Sequence, residues 1–316
     1  MRDDTLRRWL ERRSYGPAPV AEVAAAKRGA GCSVAVVLPA LDEAQTIGAI
    51  CDTIDTELVP TGLVDRVVVV DSGSSDATPQ IARAHGAEVH HADEILPELG
   101  TGGGKGDALY KGLAVADCDI VVFCDSDVSN FKPTFVSSLV APLLIDPALV
   151  LTKAFYDRPL ERAGELVEGG ARVTELVVRP LINTFYPDLA GVVQPLAGEY
   201  AGRAAALEEL PFFTGYGVEI GLLVDVVETY GLDALAQVDL GLRLHDNQDV
   251  PALGRMAFQV MSAFFKRLDE LGRLKLLDDL PALMLQFTPD DELELVAHHL
   301  GVVERPPLKH VRGGRA

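Results

Sequence analysis

The sequence is short of positive charge and has no long apolar run. Its 316 residues include 28 lysines and arginines against 47 aspartates and glutamates, which gives a formal net charge of −19. An acidic surface of this kind repels nucleic acids and anionic membranes, so neither is expected as a partner. No apolar run reaches the roughly 18 residues that a transmembrane helix needs, so no membrane-spanning segment is expected.

Cysteine is also scarce. The four cysteines are Cys32, Cys51, Cys118 and Cys124, and none of them forms a Cys-x-x-Cys pair. This pattern is typical of free thiols in a reducing compartment, so we expect a cytoplasmic protein without disulfides or a zinc site. The N-terminal stretch MRDDTLRRWLERRSY lacks the apolar segment of a signal peptide, and its apolar residues have helical spacing instead.

Apolar runs alternate with helical patterns through the first half of the chain. SVAVVLPAL, DRVVVVD, AEVHHA and DIVVFCDSD indicate strands, with amphipathic segments between them. Such alternation predicts right-handed βαβ units and a mainly parallel sheet with helices on both faces. The pattern loosens after residue 150, becomes mostly helical from Val250 to His299, and ends in a predicted frayed tail over 301–316.

Polar residues follow three of the predicted strands, in Pro39–Glu43, Asp71–Gly73 and Asp125–Asp127. Ligands gather at the carboxyl ends of strands in open α/β sheets. One aspartate at a strand end is usually a turn or helix cap, but three such ends in one unit favour a binding site. Asp125 and Asp127 repel each other unless a cation lies between them. The pair therefore predicts Mg²⁺ or Mn²⁺ bound to a diphosphate.

Two further segments are candidate binding sites. The run GTGGGKGDAL around Lys105 is not a Walker loop, because its spacing and the residue after the lysine differ. A mobile lid is one interpretation, and a lysine that neutralises phosphate is the one we favour. His245 in LRLHDN follows an alternating strand, and the pattern alone leaves a metal, phosphate or structural role open. The pairs His90–His91 and His298–His299 are interpreted as surface residues.

Several motifs together resemble a known family. VVLPALDEAQTI, VVVDSGSSDAT and VVFCDSD look like a GT-A-fold, family-2-like nucleotide-sugar glycosyltransferase. LPELGTGGGKGDALYKGLA, KAFYDRPL, GARVTELVVRPL, QPLAGEYAGR and GYGVEIGLLVD resemble the retaining glucosyl-3-phosphoglycerate synthases of actinobacteria, a family that includes mannosyl-3-phosphoglycerate synthases. The resemblance covers Ser33 to Met261.

The resemblance implies an α/β GT-A fold: a Rossmann-like, mainly parallel sheet, an acceptor subdomain and C-terminal helices. We expect an N-terminal helical extension over 1–32 and a nucleotide-sugar-binding domain over 33–155. Residues 156–250 would form the acceptor-binding part of the same domain, and 251–316 a C-terminal helical region and tail. The resemblance and the amphipathic helices after Val250 also suggest a homodimer, in which the C-terminal helices contribute apolar contacts.

The implied reaction moves glucose from UDP-glucose, or mannose from GDP-mannose, to the 2-hydroxyl of 3-phosphoglycerate with retention. The sequence leaves the sugar, the base and the choice between Mg²⁺ and Mn²⁺ open. One alternative is a polyprenyl-phosphate glycosyltransferase of the same fold, which would normally need membrane-facing apolar helices. The other is a non-catalytic nucleotide-sugar-binding module, which would not need Asp127, His245 and an acceptor loop together.

The resemblance also implies roles for individual residues. The predicted catalytic residues are Asp127, Lys105 and Glu219, and the predicted metal ligands are Asp127 and His245. The predicted donor-binding residues are Pro39, Ala40, Leu41, Glu43, Ser72, Lys105, Asp125, Ser126, Tyr216 and Glu219. The predicted acceptor-binding residues are Arg172, Val173, Thr174, Arg243 and Asn247.

The segment GGARVTEL suits a doubly anionic acceptor. It offers backbone donors at a predicted helix start and a guanidinium, which together bind phosphate and carboxylate groups well. An acidic protein needs such local cations to bind 3-phosphoglycerate. The family usually has glycine directly before this arginine, where the present chain has Ala171.

Overall fold

The computed structural model describes residues 2–100, 103–158, 160–162, 165–167, 171–244, 248–287 and 294–313. The helices in these ranges are α1 (Arg2–Arg13), α2 (Val20–Ala30), α3 (Ile47–Glu57), α4 (Thr78–Ala84), α5 (Gly104–Ala116), α6 (Pro133–Ile145), α7 (Arg179–Phe185), α8 (Ala204–Leu207), α9 (Val218–Tyr230), α10 (Val250–Glu270) and α11 (Leu308–Gly313). The strands are β1 (Ser14–Tyr15), β2 (Val34–Ala40), β3 (Arg66–Asp71), β4 (Glu88–His91), β5 (Ile120–Phe123), β6 (Leu151–Asp157), β7 (Leu160–Arg162), β8 (Glu165–Val167), β9 (Tyr200–Arg203), β10 (Phe212–Phe213), β11 (Leu235–Leu242), β12 (Leu283–Phe287), β13 (Leu295–His299) and β14 (Glu304–Arg305).

Eight of these strands form one sheet, in the order β1-β11-β6-β9-β5-β2-β3-β4. Neighbouring strands run parallel except around β9, which is antiparallel to β5 and β6. From β2 the chain winds outward through β3 and β4, and β5 then returns to the other side of β2. This reversal opens a crevice at the carboxyl ends of β2 and β5, where α/β sheets bind ligands.

The central strands are buried on both faces. Val34, Val36 and Leu38 of β2 pack in one apolar core with residues of α3 and α6. Ala35 and Val37 lie in the opposite core with α5 and α9. Since successive side chains of a strand point to opposite faces, burial on both sides requires continuous apolar runs. The predicted mainly parallel sheet with helices on both faces is confirmed.

The N-terminal segment contributes to the sheet as well as to its helical cover. Trp9 of α1 is buried, and its indole N–H donates to the carbonyl of Leu232 at 3.1 Å. The following strand β1 pairs in parallel with β11. Residues 1–32 therefore add an edge strand that the helical prediction did not contain.

The C-terminal region differs from its prediction. Helix α10 ends at Glu270, and β12 and β13 form an antiparallel hairpin whose residues alternate in exposure. The helical prediction from Val250 holds for α10 but was wrong for Leu283–Phe287 and Leu295–His299, whose side chains alternate in exposure as those of a strand do. The predicted frayed tail was also wrong over the described residues, because β14 pairs with β10. In the described ranges, no helix is long and apolar enough to cross a membrane.

Candidate active site

A cavity of about 710 Å³ opens at the carboxyl ends of β2 and β5. Its wall includes all ten residues predicted to bind the donor, together with Asp127 and the predicted acceptor residues Arg172, Val173 and Thr174. Another part of the wall comes from α10 and from the end of β13, where His299, predicted as a surface residue, also lines the cavity. His245 and Asn247 lie outside the described residues.

Hydrogen bonds join the strand ends on either side of the crevice. The Ser126 hydroxyl, just after β5, donates to the carbonyl of Pro39 in β2 at 2.8 Å. The Thr46 hydroxyl donates to the carbonyl of Ser126 at 2.5 Å. At the third strand end, Asp71 accepts hydrogen bonds from the backbone N–H groups of Gly73 and Ser74, as a turn residue does. These contacts hold Ser126 against β2, and Ser126 lines the cavity together with the aspartates on either side of it.

A buried arginine lies between the two aspartates. Nη2 of Arg243 lies 2.9 Å from Asp125 Oδ2 and 2.9 Å from Asp127 Oδ1, and its Nε donates to Glu199 at 2.7 Å. Its side chain is 1% exposed. Burial and the charge of Asp125 raise the pKa of Asp127, while Arg243 opposes them. The repulsion that the sequence argument assigned to a metal is therefore offset in part by a guanidinium.

Arg243 was predicted to contact the acceptor. Its hydrogen bonds in the structure go to Asp125, Asp127 and Glu199, and it is not among the described residues that line the cavity. An acceptor contact therefore stays a prediction. The observed position is that of a cation that holds the carboxylate pair from behind the cavity wall.

Lys105 lies between two carboxylates at the start of α5. Its Nζ lies 2.5 Å from Asp125 Oδ1 and 2.8 Å from Glu219 Oε1. Burial lowers the pKa of Lys105, but Asp125 and Glu219 raise it well above its usual value. Burial raises the pKa of Asp125, but Lys105 and Arg243 bring it below the ordinary range. The lysine is therefore charged and faces the cavity, as phosphate binding requires.

Glycine is needed beside this lysine for two reasons. Gly104 has a φ of +73°, a conformation that L side chains rarely adopt. A Cβ atom at Gly104 would also lie 3.1 Å from the Cα atom of Gly215, in the turn that carries Tyr216. The glycine loop and this turn therefore approach closely at the cavity wall, which both of them line.

Three residues near the carboxylates were missed by the sequence argument. Lys153 is buried, and its ammonium group donates to the carbonyl of Ala197 at 2.5 Å and lies over the ring of Tyr200. Burial lowers the pKa of Lys153 to about 8. Glu199 is buried against Arg243. A Cβ at Gly198 would lie 2.0 Å from Asp125 Oδ2, so only glycine leaves room for that carboxylate. A lysine inside the apolar run LVLTKAF was the available signal, since buried charges are rare.

The predicted acceptor loop lies at another part of the cavity wall. Nη2 of Arg172 donates to the carbonyl of Gln248 at 2.8 Å. Thr174–Val178 form a π-helical turn that continues into α7, and such turns are frequent at functional sites. Ala171 has a φ of 57°, a left-handed conformation that favours glycine. Alanine thus occupies a backbone position suited to the glycine usual in the family.

Comparison with known proteins decides the family. Residues 35–172 match the family model described as glycosyl transferase family 2. The glucosyl-3-phosphoglycerate synthase of Petrotoga mobilis is 43% identical over 312 residues, which cover 98% of this chain and 95% of that protein. The chain belongs to the glucosyl-3-phosphoglycerate synthase family. Members of the family are glycosyltransferases, and this chain is one of them.

Solved structures of glucosyl-3-phosphoglycerate synthases and a related enzyme share the fold. The mannosyl-3-phosphoglycerate synthase from Rubrobacter xylanophilus matches with a TM-score of 0.88 and 39% identity over 96% of this chain and 99% of that chain. The glucosyl-3-phosphoglycerate synthase from Mycobacterium tuberculosis, in complex with Mn²⁺, UDP-glucose and phosphoglyceric acid, matches with a TM-score of 0.81 and 42% identity over 95% and 99%. The predicted GT-A fold and family are confirmed.

Proposed function

We propose that this chain transfers glucose or mannose from a nucleoside-diphosphate sugar to the 2-hydroxyl of 3-phosphoglycerate, with retention of configuration. The observation that carries the proposal is the distribution of charge around one cavity. Asp125, Asp127 and Lys105 lie together on its wall, and the Arg172 loop supplies a separate cation. The names of the relatives include both a glucosyl and a mannosyl enzyme, so UDP-glucose and GDP-mannose are both retained as donors.

We propose the donor roles that the family resemblance implies, and the position of these residues on the cavity wall supports them. Pro39–Leu41, Glu43 and Ser72 would contact the base and ribose, and Lys105 would contact the diphosphate. The proposed contacts to the nucleotide sugar come from Asp125, Ser126, Tyr216 and Glu219. All of these residues line the cavity.

A divalent cation fits the donor set at Asp127. The Asp127 side chain is 38% exposed and lines the cavity, and burial together with Asp125 raises its pKa. A hard cation such as Mg²⁺ or Mn²⁺ would stabilise the charged form of a carboxylate in that environment. We propose that Asp127 and His245 hold the ion. When bound, it neutralises charge on the leaving diphosphate.

The residues of the chain would place the two reacting groups side by side. The bond from the anomeric carbon to the diphosphate breaks, and its electron pair leaves on the diphosphate. The 2-hydroxyl of 3-phosphoglycerate forms the new bond on the same face of the sugar, and its proton passes to the departing phosphate. Lys105 would stabilise the charge that develops on the diphosphate. Glu219, which is ion-paired with Lys105, would orient sugar hydroxyls rather than attack the sugar.

The acceptor would bind at the Arg172 loop. Arg172 would form charge-assisted hydrogen bonds to the phosphate or carboxylate of 3-phosphoglycerate, supported by Val173, Thr174 and Asn247. Arg243 would act mainly by holding Asp125 and Asp127 in place.

An assay with both donors tests the function. UDP-glucose and GDP-mannose are each supplied with 3-phosphoglycerate and Mg²⁺ or Mn²⁺, and the product is analysed by mass spectrometry. We expect glucosyl- or mannosyl-3-phosphoglycerate that stays in the aqueous phase on lipid extraction. Donor binding without turnover would instead indicate a binding module, and a lipid-extractable product would indicate a polyprenyl-phosphate enzyme. Membership of the synthase family favours neither alternative.

The proposed division of the chain follows its chemistry, although one sheet joins the parts. Residues 33–155 supply the β2 and β5 ends and the glycine loop, and 156–250 supply the acceptor loop. Tyr216 and Glu219 belong to the second part yet line the donor end. We also propose a cytoplasmic location, which the four free cysteines support.

We further propose a homodimer in which the β12–β13 hairpin contributes to the interface. Leu283, Leu285, Phe287 and Leu295 on this hairpin are 41% to 65% exposed, and clustered exposed apolar residues mark interaction surfaces. Light scattering at micromolar concentration should give the mass of two chains. The double substitution Leu285→Ser, Phe287→Ser should shift the protein toward the monomer, whereas Leu277→Ser, at an exposed position outside the hairpin, should not. A monomeric wild type would contradict this proposal.

A further inference from the structure

A buried arginine near the C-terminal end of the described chain contacts the glycine loop. Arg305 in β14 is 4% exposed. Its Nε donates to Asp107 Oδ1 at 2.7 Å, its Nη1 donates to the carbonyl of Leu99, and its Nη2 donates to the carbonyl of Gly100 at 3.1 Å. Burial of a guanidinium costs free energy, and here hydrogen bonds to residues 99–107 offset that cost.

These contacts lie on both sides of Lys105 in the sequence. Leu99 and Gly100 precede the lysine, and Asp107 follows it in the first turn of α5. Lys111 adds a further connection, since its buried Nζ lies 3.0 Å from Asp107 Oδ2 and 3.4 Å from the carbonyl of Gly100. The charged network therefore joins the residues before the glycine run to the first turn of α5, on either side of Lys105 in the sequence.

Strand β14 is itself held by two other parts of the fold. It pairs antiparallel with β10, and a Cβ at Gly106 of α5 would lie only 2.0 Å from the carbonyl oxygen of Phe213 in β10. The neighbouring Glu304 accepts a hydrogen bond from Arg267 of α10 at 2.6 Å. The strand thus connects the start of α5 with α10, which also lines the cavity.

We infer that Arg305 is a positioning residue for the donor end of the site: it holds the glycine loop so that Lys105 faces the diphosphate of the nucleotide sugar. The inference rests on the proposed role of Lys105. Among the described residues, Arg305 is not one of those that line the cavity, so it acts through the loop. Its replacement removes no atom from the cavity wall.

The kinetic test compares substitutions of Arg305 with a matched control. In Arg305→Met the KM for the nucleotide sugar should rise about tenfold or more, because a small displacement of a positioned group is costly, while the KM for 3-phosphoglycerate stays unchanged. Arg305→Lys keeps a charge beside Asp107 without the planar fork, so its donor KM should be intermediate. The control is Arg312→Met, whose guanidinium pairs with Glu208 and the carbonyl of Ala114; its donor KM should not change.

Hydrogen–deuterium exchange adds a measurement that needs no activity. The amides of residues 103–107 should exchange faster in Arg305→Met, while those of α9 keep their wild-type rates. If the wild type transfers no sugar, the proposed function fails. Faster loop exchange in Arg305→Met would still support the part of the inference that Arg305 holds the glycine loop in place.

Two results would overturn the inference. One is an equal rise in the KM of both substrates, which indicates general loss of structure. The other is unchanged loop exchange with an unchanged donor KM. Should Arg305→Met not fold, Arg305→Lys decides alone: a donor-selective rise supports the inference, and a wild-type donor KM contradicts it.

Discussion

Asp127→Ala should abolish sugar transfer. The substitution removes the proposed carboxylate ligand of the divalent cation, and it also removes a partner of the buried Arg243. A metal that neutralises a leaving diphosphate contributes several kcal/mol to the transition state, so a loss of about 4 kcal/mol corresponds to roughly a thousandfold in rate. Initial rates with saturating nucleotide sugar and 3-phosphoglycerate measure the effect.

The matched control is Asp233→Ala. Asp233 is an exposed carboxylate paired with Arg12, and such surface ion pairs contribute little to the stability of a fold. Its transfer rate should equal that of the wild type. Treatment of the wild type with EDTA should reproduce the loss seen in Asp127→Ala, and Mg²⁺ or Mn²⁺ should restore activity. Near wild-type turnover of Asp127→Ala in EDTA would show that the metal-dependent mechanism is wrong.

Arg172→Ala should weaken the acceptor far more than the donor. Arg172 lies on the cavity wall just before the π-helical turn that leads into α7, outside the strand ends and the glycine loop proposed to hold the nucleotide. Truncation of a charged, hydrogen-bonded contact costs on the order of 2–5 kcal/mol. Since about 1.4 kcal/mol is tenfold, the efficiency with 3-phosphoglycerate should fall roughly 30-fold or more. Arg172→Lys should keep only part of this efficiency, because lysine lacks the planar guanidinium that binds an anion through two hydrogen bonds.

The measurement varies each substrate in turn and adds calorimetric binding of the donor alone. Arg179→Ala is the control: this arginine of α7 contacts Glu175 and the carbonyls of Val192 and Val193, and it is not among the described residues that line the cavity. It should leave the acceptor KM unchanged. If Arg172→Ala instead lowers donor affinity at an unchanged acceptor KM, the loop belongs to the other substrate.

The parts of the fold that were predictable are those in which burial dictates composition. Strands such as β2 and β3 lie between two cores, so nearly every residue must be apolar and the runs stand out. The antiparallel insertion of β9 was not predictable, because the direction of a short strand depends on which neighbours it meets. The β12–β13 hairpin was not predictable from polarity, because LMLQF and LVAHH do not alternate apolar and polar residues, and their alternation in exposure is set by the pairing.

The candidate site also contains residues whose position was predictable from the sequence and residues whose position was not. Asp125, Asp127 and Lys105 were predictable because they directly follow a strand or lie in a glycine run. The role of Arg243 was not, because its partners Asp125 and Glu199 lie far from it in sequence and meet it only through the sheet. The contacts of Arg305 were not predictable for a related reason. The tail that contains it has prolines and glycines and shows no periodic pattern, and the burial of Arg305 depends on the pairing of β14 with β10.

The long separation between Arg305 and the glycine loop has a consequence for the order of folding. Strands β2, β3 and β5 come from neighbouring parts of the chain, whereas Arg305 reaches Asp107 across 198 positions. Closing so long a loop costs entropy and is expected late, after the nearby strands have paired. During synthesis the loop also leaves the ribosome well before β14 does. In a nascent chain, the strand that precedes Asp125 would therefore pair with β2 before Arg305 can contact the glycine loop.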